Sequence, residues 1–155
     1  MLKYTDALTS QIITQSDGYI EVFLTKEIES LNKFMPSKRA IKNCKSKGVD
    51  YDYLADIYAK YKRTWAGALV VFPMIEKKER IVDTIIISKR TRLIDLENLY
   101  GGSKPIRDTL QRRGWLHDDA PRWGGLQVIQ EKVSKGETGT IIKLRKRDER
   151  NSQGD

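Results

Sequence analysis

Residues 80–88 read Arg-Ile-Val-Asp-Thr-Ile-Ile-Ile-Ser, the densest run of β-branched side chains in the chain. Such side chains favour the extended backbone of a sheet, so this run is the clearest predicted strand. Charged residues frame it on both sides, at 76–80 and 89–92. The run therefore predicts one bounded strand from which the rest of the fold can be worked out.

Three more strands are predicted before and after this run. Residues 19–25 read Tyr-Ile-Glu-Val-Phe-Leu-Thr, which is typical of a first strand. Residues 126–133 and 139–144 form two further apolar runs, with the turn residues 134–136 between them. Short loops of this type join antiparallel neighbours, so the last two strands are predicted to form a terminal hairpin.

Two helices are predicted. Over residues 51–69, apolar and aromatic side chains recur every three or four residues, as on one face of an amphipathic helix: Tyr51, Leu54, Ile57, Tyr58, Tyr61 and Trp65. Asp50 or Asp52 is a candidate cap for this helix. Such a stripe can stack on nucleic-acid bases, but the spacing favours a core position. A shorter helix is predicted over 104–113, with Ser103 as its cap, Pro105 in its first turn and Gly114 as a left-handed stop.

The chain has 155 residues, the length of one ordinary domain. We predict an α+β domain over residues 1–144, with a small mixed sheet of about four strands and two main helices. Residues 145–155 are highly charged and predict a disordered tail. The lysine-rich stretch 26–50 is interpreted as an exposed connection, either solvated or following a phosphate backbone.

Composition narrows the function classes. The formal net charge is +8, which favours an anionic partner such as nucleic acid, although many soluble proteins are also basic. Cys44 is the single cysteine, so an internal disulfide and a cysteine-rich zinc site are excluded. The longest apolar stretch, residues 65–75, contains Pro73 and is shorter than the roughly 20 residues that span a bilayer. With no signal-peptide pattern at the N-terminus, we expect a cytoplasmic protein without a membrane partner.

Chemistry is concentrated in residues 95–119. If the chain stays extended after Ser88, Asp95 and Glu97 project from the same face of the strand. Two carboxylates on one face repel each other unless a cation lies between them, and Mg²⁺ prefers such oxygen ligands. Asp118 and Asp119 follow the short helix and are expected to close the site. Metal ions held in this way neutralise a phosphodiester and activate water.

Basic groups accompany these acids. Lys104 is placed to supply positive charge to phosphate oxygens during displacement. The turn of Gly101, Gly102 and Ser103 at a helix start is expected to offer backbone N–H groups to a phosphate.

Simpler interpretations remain open for each residue. Asp95 and Glu97 can be surface acids paired with Arg90 or Arg92, and such pairs contribute little. Asp108 can pair with Arg112 one turn later in the short helix. His117, the only histidine, is more often a surface or packing residue than a catalytic one, and packing is also favoured for the tryptophans: Trp115 and Trp123.

The complete string is more specific than its members. It reads acid-x-acid-Asn-Leu, a glycine-containing turn, Lys-Pro-Ile-x-Asp-x-Leu and then Gly-x-x-x-Asp-Asp, formed by Asp95, Glu97, Asn98, Leu99, Lys104, Asp108, Leu110, Gly114, Asp118 and Asp119. This string resembles the RusA-type Holliday junction resolvases (crossover junction endodeoxyribonucleases) of bacteria and their phages. The resemblance covers about half of the chain, from the strand at 80–88 to the strand after Trp123.

The resemblance implies a RusA-like fold and a set of site residues. Its metal ligands are Asp95, Glu97 and Asp119, with Asp118 as a neighbouring candidate, and Lys104 is required for cleavage. The implied cofactor is Mg²⁺, for which Mn²⁺ can substitute. The implied partners are branched DNA and a second copy of the chain, since a twofold protein matches a junction that is nicked symmetrically.

Seven basic residues near the acids are candidate DNA-binding residues that would contact phosphates on the junction arms: Lys89, Arg90, Arg92, Arg107, Arg112, Arg113 and Arg122.

Two departures from the family pattern bear on activity. The second acid is usually aspartate, whereas this chain has Glu97. The family's Pro-Pro-Ser-x-Asn-Arg motif after the first strand has only a partial counterpart in residues 35–39, Met-Pro-Ser-Lys-Arg.

Three functions are therefore expected in order of preference. The first is a magnesium-dependent endonuclease that cuts Holliday junctions or other branched DNA during recombination, repair or phage DNA processing. The second is a catalytically weak or inactive protein that binds branched DNA. The third is a basic protein that binds RNA or another protein.

Overall fold

The computed structural model describes residues 11–16, 19–35 and 52–147. Five strands form one mixed sheet: β1 (Gln11–Ser16), β2 (Tyr19–Leu24), β3 (Val82–Arg90), β4 (Leu126–Lys132) and β5 (Gly139–Lys146). Their order across the sheet is β1-β2-β5-β3-β4. The predicted α+β domain with a mixed sheet is confirmed, and β1 is a strand that the sequence patterns did not predict.

The β-branched run forms β3, where it has a neighbour on each side. β3 is antiparallel to β5 and parallel to β4. Its side chains alternate, so that Val82, Thr84, Ile86 and Ser88 are buried. This alternation is expected for a strand with one face against a core.

The predicted terminal hairpin is wrong. β4 and β5 are both strands, but β3 lies between them in the sheet. β5 also pairs with β2, so it is inserted between two strands that precede it in the sequence. A parallel pair such as β3–β4 requires a long crossover connection, and residues 91–125 supply it.

Three helices accompany the sheet: α1 (Asp52–Ala68), α2 (Leu96–Gly102) and α3 (Lys104–Arg112). The two main predicted helices are α1 and α3, whereas the short α2 was not predicted. Short 3-10 turns occur at Leu31–Lys33, Leu69–Val71 and Pro121–Trp123. None of the helices in the described ranges is long and apolar enough to cross a membrane.

The core lies between one face of the sheet and the helices. Tyr61 and Trp65 of α1 are buried in it, as the aromatic stripe predicted, together with Ile106 and Leu110 of α3. Ile57, another member of the stripe, is 38% exposed. Tyr51, Asp50 and the side chain of Asp52 lie outside what the structure describes.

The Tyr61 hydroxyl connects three parts of the fold. It donates a hydrogen bond to the Gly102 carbonyl at 2.7 Å and accepts one from the Glu29 N–H at 3.1 Å. Burial raises the pKa of this hydroxyl above its usual value, so it stays protonated and able to donate. It thereby holds the end of α2 against α1 and the chain after β2.

The disordered tail was predicted to begin at residue 145, but the sheet continues past this point. β5 continues through Lys146, and the Arg147 side chain pairs with Asp83 of β3. The rest of the predicted tail, 148–155, lies outside the described residues. So do residues 36–39, which carry most of the partial N-terminal motif.

Candidate active site and nucleic-acid surface

Asp95 and Glu97 lie at the start of a helix and not on an extended strand, which corrects the geometry assumed for them. Asp95 is the N-cap residue of α2, and Glu97 lies in its first turn. The backbone of Asp95 is still extended, but Glu97 is already helical, so the alternation of a continuous strand does not place the two side chains on one face. Both side chains are exposed, at a helix terminus where negative charge is favoured.

The Gly101–Ser103 segment joins α2 directly to α3 and does not form the open phosphate-binding turn that was expected. The Ser103 N–H donates to the Leu99 carbonyl at 3.0 Å. Ser103 is the N-cap residue of α3, as predicted, but its side chain makes no capping hydrogen bond, because its hydroxyl donates to the Tyr100 carbonyl at 2.7 Å. A Cβ atom on Gly102 would lie 1.9 Å from the Glu29 carbonyl oxygen, so glycine is required there for close packing.

Lys104 is exposed at the first position of α3. Its Nζ lies 3.5 Å from Asp108 Oδ1, with the two side chains 52% and 37% exposed. Asp108 therefore pairs with the residue one turn before it and not with Arg112, as the simpler interpretation supposed. A pair this exposed is weak, so a phosphate can compete with Asp108 for the lysine.

Asp118 and Asp119 lie in the loop between α3 and the turn at Pro121–Trp123, and both are exposed. Asp118 Oδ1 accepts a hydrogen bond from the Asp119 N–H at 2.7 Å. This backbone hydrogen bond is the main reason that the pKa of Asp118 is lowered, and a side-chain hydrogen bond with Asp119 and the charges of His117 and Arg122 lower it further. Asp118 is therefore a carboxylate at neutral pH.

The first acid pair is held beside the later part of β4. Ile94, which precedes Asp95, exchanges two hydrogen bonds with the Gln130 side chain, at 3.0 and 2.7 Å. Gln130 pairs with Ser88 in the register of β3 and β4. Asp95 is therefore anchored at this level of the sheet.

The second acid pair leads into the beginning of β4. After Asp119 the chain reaches Gly125, whose carbonyl accepts from the Thr84 N–H at 2.9 Å. Thr84 and Ser88 are four residues apart on β3, which corresponds to about 13 Å along the strand. The two points at which this connection is bonded to the sheet are therefore at different levels, and Asp119 lies six residues before the second of them.

Within 11–16, 19–35 and 52–147, no group of three or more His, Cys, Asp or Glu side chains is close enough together to hold a metal ion. The acids predicted as ligands therefore do not fit a three-carboxylate magnesium site in this conformation. Magnesium binding stays a prediction for these residues.

Three of the predicted DNA-binding arginines are buried or half-buried and make contacts within the protein. The Arg90 guanidinium donates to the carbonyls of Ile28 and Arg92. Arg107 is only 8% exposed and lies over the Tyr100 ring at 4.4 Å. Arg113 Nη1 donates to the Phe72 carbonyl at 3.0 Å. These contacts position the three guanidinium groups and support the fold.

The other predicted cations are more accessible. Arg92, Arg112 and Arg122 are exposed, and Lys89 is half-buried. Arg122 lies 5.2 Å from the centre of the Trp123 ring, on the same loop as Asp118 and Asp119. This part of the surface therefore combines positive charge with an aromatic ring next to two carboxylates.

The packing interpretation was favoured for Trp115 and for His117, and the structure describes the contacts of both rings. Trp115 packs edge-on against Phe72 at 5.3 Å, and its Nε1 donates to the Pro73 carbonyl at 2.8 Å, so the packing role predicted for it is confirmed. His117 lies 4.2 Å from the Trp123 ring. Its Nδ1 is buried and has no hydrogen-bond partner among the described residues. A ring held in this way also fits the packing interpretation.

Two basic residues of α1 were missed by the sequence interpretation. Lys62 and Arg63 are exposed and line a cleft with Arg112 and Arg113. The signal was present as a Lys-Arg doublet inside the predicted helix, on a different face from the aromatic stripe. The aromatic spacing of this helix does not show it.

No protein-family model matches this chain, and no curated protein is similar enough to it to count as a relative. What the protein does is therefore inferred from its own residues and their arrangement.

Proposed function

We propose that this protein is a magnesium-dependent, structure-selective endodeoxyribonuclease that hydrolyses phosphodiesters in Holliday junctions or other branched DNA, as the resemblance to RusA-type resolvases implies. One observation carries the proposal. Lys104 and the four acids predicted as ligands are all exposed to solvent, at helix starts or in a loop of one crossover connection: Asp95, Glu97, Asp118 and Asp119. Groups placed in this way are accessible to a macromolecular substrate.

Lys104 has a defined role in this proposal. Its ammonium group binds the scissile phosphate and stabilises the negative charge that develops on the phosphate oxygens. Asp108 orients the lysine through their 3.5 Å contact until the phosphate replaces it. Arg122 and Arg112, both exposed, neutralise neighbouring phosphates, and such contacts position DNA without reading its sequence.

A second function is favoured by the arrangement of the acids. Because the acids form no metal-binding group of three among the described residues, the protein can instead be a catalytically weak or inactive binder of branched DNA. Glu97 in place of the usual aspartate favours the same alternative. The two proposals agree on the substrate and differ in whether it is cut.

Cleavage of a synthetic four-way junction separates these functions. Wild-type protein with Mg²⁺ or Mn²⁺ is expected to cut the junction in preference to linear duplex of the same sequence. Calcium, which has a looser coordination geometry, is expected to support binding without cleavage. Absence of any product over a range of Mg²⁺ and Mn²⁺ concentrations would remove the enzymatic proposal and leave the binding one.

Two variants assign the activity to the predicted site. Asp119→Asn is expected to abolish cleavage while leaving junction binding intact, because the amide keeps the size of the side chain and removes the charge. Asp56→Asn is the matched control, since Asp56 is an exposed acid of α1 outside the string, and it is expected to cut like the wild type. Equal cutting by both variants would place the active site elsewhere.

The proposal includes a homodimer that acts in the cytoplasm of a bacterium or of a phage-infected host. A four-way junction has two strands to be nicked, and two copies related by a twofold axis match this symmetry.

A further inference from the structure

A basic cleft lies between α1 and α3, and none of the acids of the string lines it. Its cavity volume is about 490 Å³. It is lined by four residues of α1, three residues of α3 or its end, and one residue of the connection to β3: Ala59, Lys62, Arg63, Ala66, Thr109, Arg112, Arg113 and Met74. We refer to this feature as the α1–α3 cleft.

The cleft follows from the spacing of these residues on two helices. On α1 they recur at i, i+3, i+4 and i+7, which places them on one face. The aromatic side chains that enter the core, Tyr61 and Trp65, lie on a different face of the same helix. On α3 the lining residues recur at i, i+3 and i+4. Each helix therefore presents two adjacent cations to the same groove.

The cations of the cleft are held in place by contacts that leave their charge uncompensated. Arg113 donates to the Phe72 carbonyl at 3.0 Å, and Arg112 donates to Thr109 Oγ1 at 3.1 Å. Lys62 Nζ lies 5.0 Å from the centre of the Tyr58 ring. None of the four is in a salt bridge with a carboxylate of the described residues.

Four like charges around one groove repel one another unless an anion enters it. Arg112 and Arg113 have a structural explanation, since cations are favoured at the C-terminal end of a helix. Lys62 and Arg63 lie inside α1, where the helix dipole does not favour them. A multivalent anion bound in the cleft would explain why Lys62 and Arg63 face the two arginines.

We infer that the α1–α3 cleft binds the phosphodiester backbone of a DNA arm, at a place distinct from the acids and Lys104. The small side chains of Ala59 and Ala66 leave room for a nucleic-acid backbone to enter the cleft. The planar guanidinium group of an arginine can donate two hydrogen bonds to the oxygens of one phosphate. Binding of this kind is independent of base sequence. The choice of DNA as the anion rests on the proposed function.

The position of the cleft suits one continuous arm. Lys104 and Arg112 lie at opposite ends of α3, eight residues apart, which is about 12 Å along the helix axis. This distance is the rise of about three to four base pairs of B-DNA. A duplex that follows α3 can therefore contact the cleft and the catalytic lysine together.

The salt dependence of junction binding tests this inference. Affinity is measured by fluorescence anisotropy with a labelled four-way junction in calcium, between 50 and 200 mM salt, for the wild type and for Lys62→Gln/Arg63→Gln. Each phosphate contact contributes about 0.9 to the slope of log affinity against log salt. Loss of two contacts is expected to reduce the slope by about 1.8, so that the salt-induced loss of affinity becomes about tenfold smaller.

The control variant removes the same charge elsewhere. Lys135→Gln/Lys146→Gln changes two exposed lysines on the turn after β4 and at the end of β5, and it is expected to keep the wild-type slope. Lys62→Arg/Arg63→Lys is expected to restore it. Each single substitution, Lys62→Gln or Arg63→Gln, is expected to give about half the change, which keeps the test valid if the double variant fails to fold.

The outcomes distinguish the cleft from the proposed function. A Lys62→Gln/Arg63→Gln slope equal to that of the control overturns the cleft, whether or not the wild type cuts junctions. A reduced slope in a protein that never cuts supports the cleft and removes the nuclease. Cleft-dependent binding that prefers single-stranded RNA or anionic lipid vesicles to DNA overturns the assignment to a DNA arm.

Discussion

At the scale of single residues, Glu97 is the position where this chain departs from the pattern that it resembles. It lies in the first turn of α2 with its side chain exposed. Glutamate carries one more methylene than aspartate, which moves the carboxylate outward by more than about 1 Å. A misplacement of this size can cost about 100-fold in rate.

We expect Glu97→Asp to increase junction cleavage, by up to about 100-fold if the carboxylate is the limiting group. The measurement is the single-turnover rate on a four-way junction at saturating Mg²⁺. Glu137→Asp, at an exposed position in the turn before β5, is the control and is expected to leave the rate unchanged. An unchanged or lower rate for Glu97→Asp would mean that the site is built for glutamate or does not use this residue.

At the same scale, the sequence showed which residues form the candidate site more reliably than it showed which residues they contact. It predicted a lysine and acids that act on a phosphodiester, and Lys104, Asp95 and Asp119 are exposed where a substrate can reach them. It assigned Asp108 the wrong partner, since positions i−4 and i+4 on a helix both carry a basic residue and spacing does not choose between them. Only the orientation of α3 on the core decides this choice.

At the scale of elements, the glycine that ends α3 shows what a local sequence signal predicts and what it leaves out. Gly114 was predicted as a left-handed stop, and its φ of +89° confirms this. The structure adds a second constraint, because a Cβ atom on Gly114 would lie 2.2 Å from the Ile75 carbonyl oxygen. Gly136 has a φ of +100° as well, but a Cβ atom there would meet nothing within 4 Å.

This contrast predicts different costs for the same substitution. In Gly136→Ala the only unfavourable effect is the left-handed backbone conformation, so this variant is expected to lower the free energy of unfolding by about 1 kcal/mol. Gly114→Ala adds a steric clash with backbone and is expected to lower it by more than about 3 kcal/mol. Urea denaturation of both variants gives the comparison. Equal costs would show that the contact with Ile75 is relaxed in solution.

The elements also show where local signals end. The strands and helices were predicted close to their observed bounds, because β-branched runs and three-to-four spacing act within a few residues. Two elements were not predicted: β1, and α2, which begins at Leu96 where an extended chain was assumed. Leu96, Leu99 and Tyr100 have the spacing of a helix, but they cover little more than one turn and are followed by two glycines, which disfavour a helix.

At the scale of the whole molecule, Asp83 connects three strands at one end of the sheet. It accepts from the Gly125 N–H at 2.7 Å and from two nitrogens of Arg147 at 2.7 and 2.8 Å. Partial burial acts to raise the pKa of Asp83, but the Arg147 and Gly125 hydrogen bonds and the arginine charges outweigh it and lower the pKa below the usual 3.8.

A lowered pKa gives stability that is complete above the pKa of the unfolded chain and is lost as the pH falls through that of the folded protein. Asp83→Asn is therefore expected to lower Tm by about 2–4 °C between pH 5 and 8. The difference from the wild type is expected to shrink below about pH 4. Scanning calorimetry over this range measures it, and Arg147→Gln should reproduce the same loss. A difference that persists unchanged to pH 2 would contradict the role assigned to the Asp83 charge.

The proposed symmetric action on a junction belongs to the same scale. We expect light scattering coupled to size exclusion to give twice the chain mass of 17.9 kDa at micromolar concentration. A single-chain mass for protein that cuts junctions would show that two copies meet only on the DNA. A single-chain mass on and off the DNA would contradict the homodimer.

The sequence by itself determined the α+β class and the positions of β2, β3, β4, β5, α1 and α3. These features depend on side chains within about a turn of a helix or a few residues of a strand. Tertiary structure decided that β5 lies between β2 and β3 and that Lys62 and Arg63 line one cleft with Arg112 and Arg113. Each of these depends on which distant segments bury their apolar faces together, and the local pattern of a strand or helix shows that it has such a face without showing its partner.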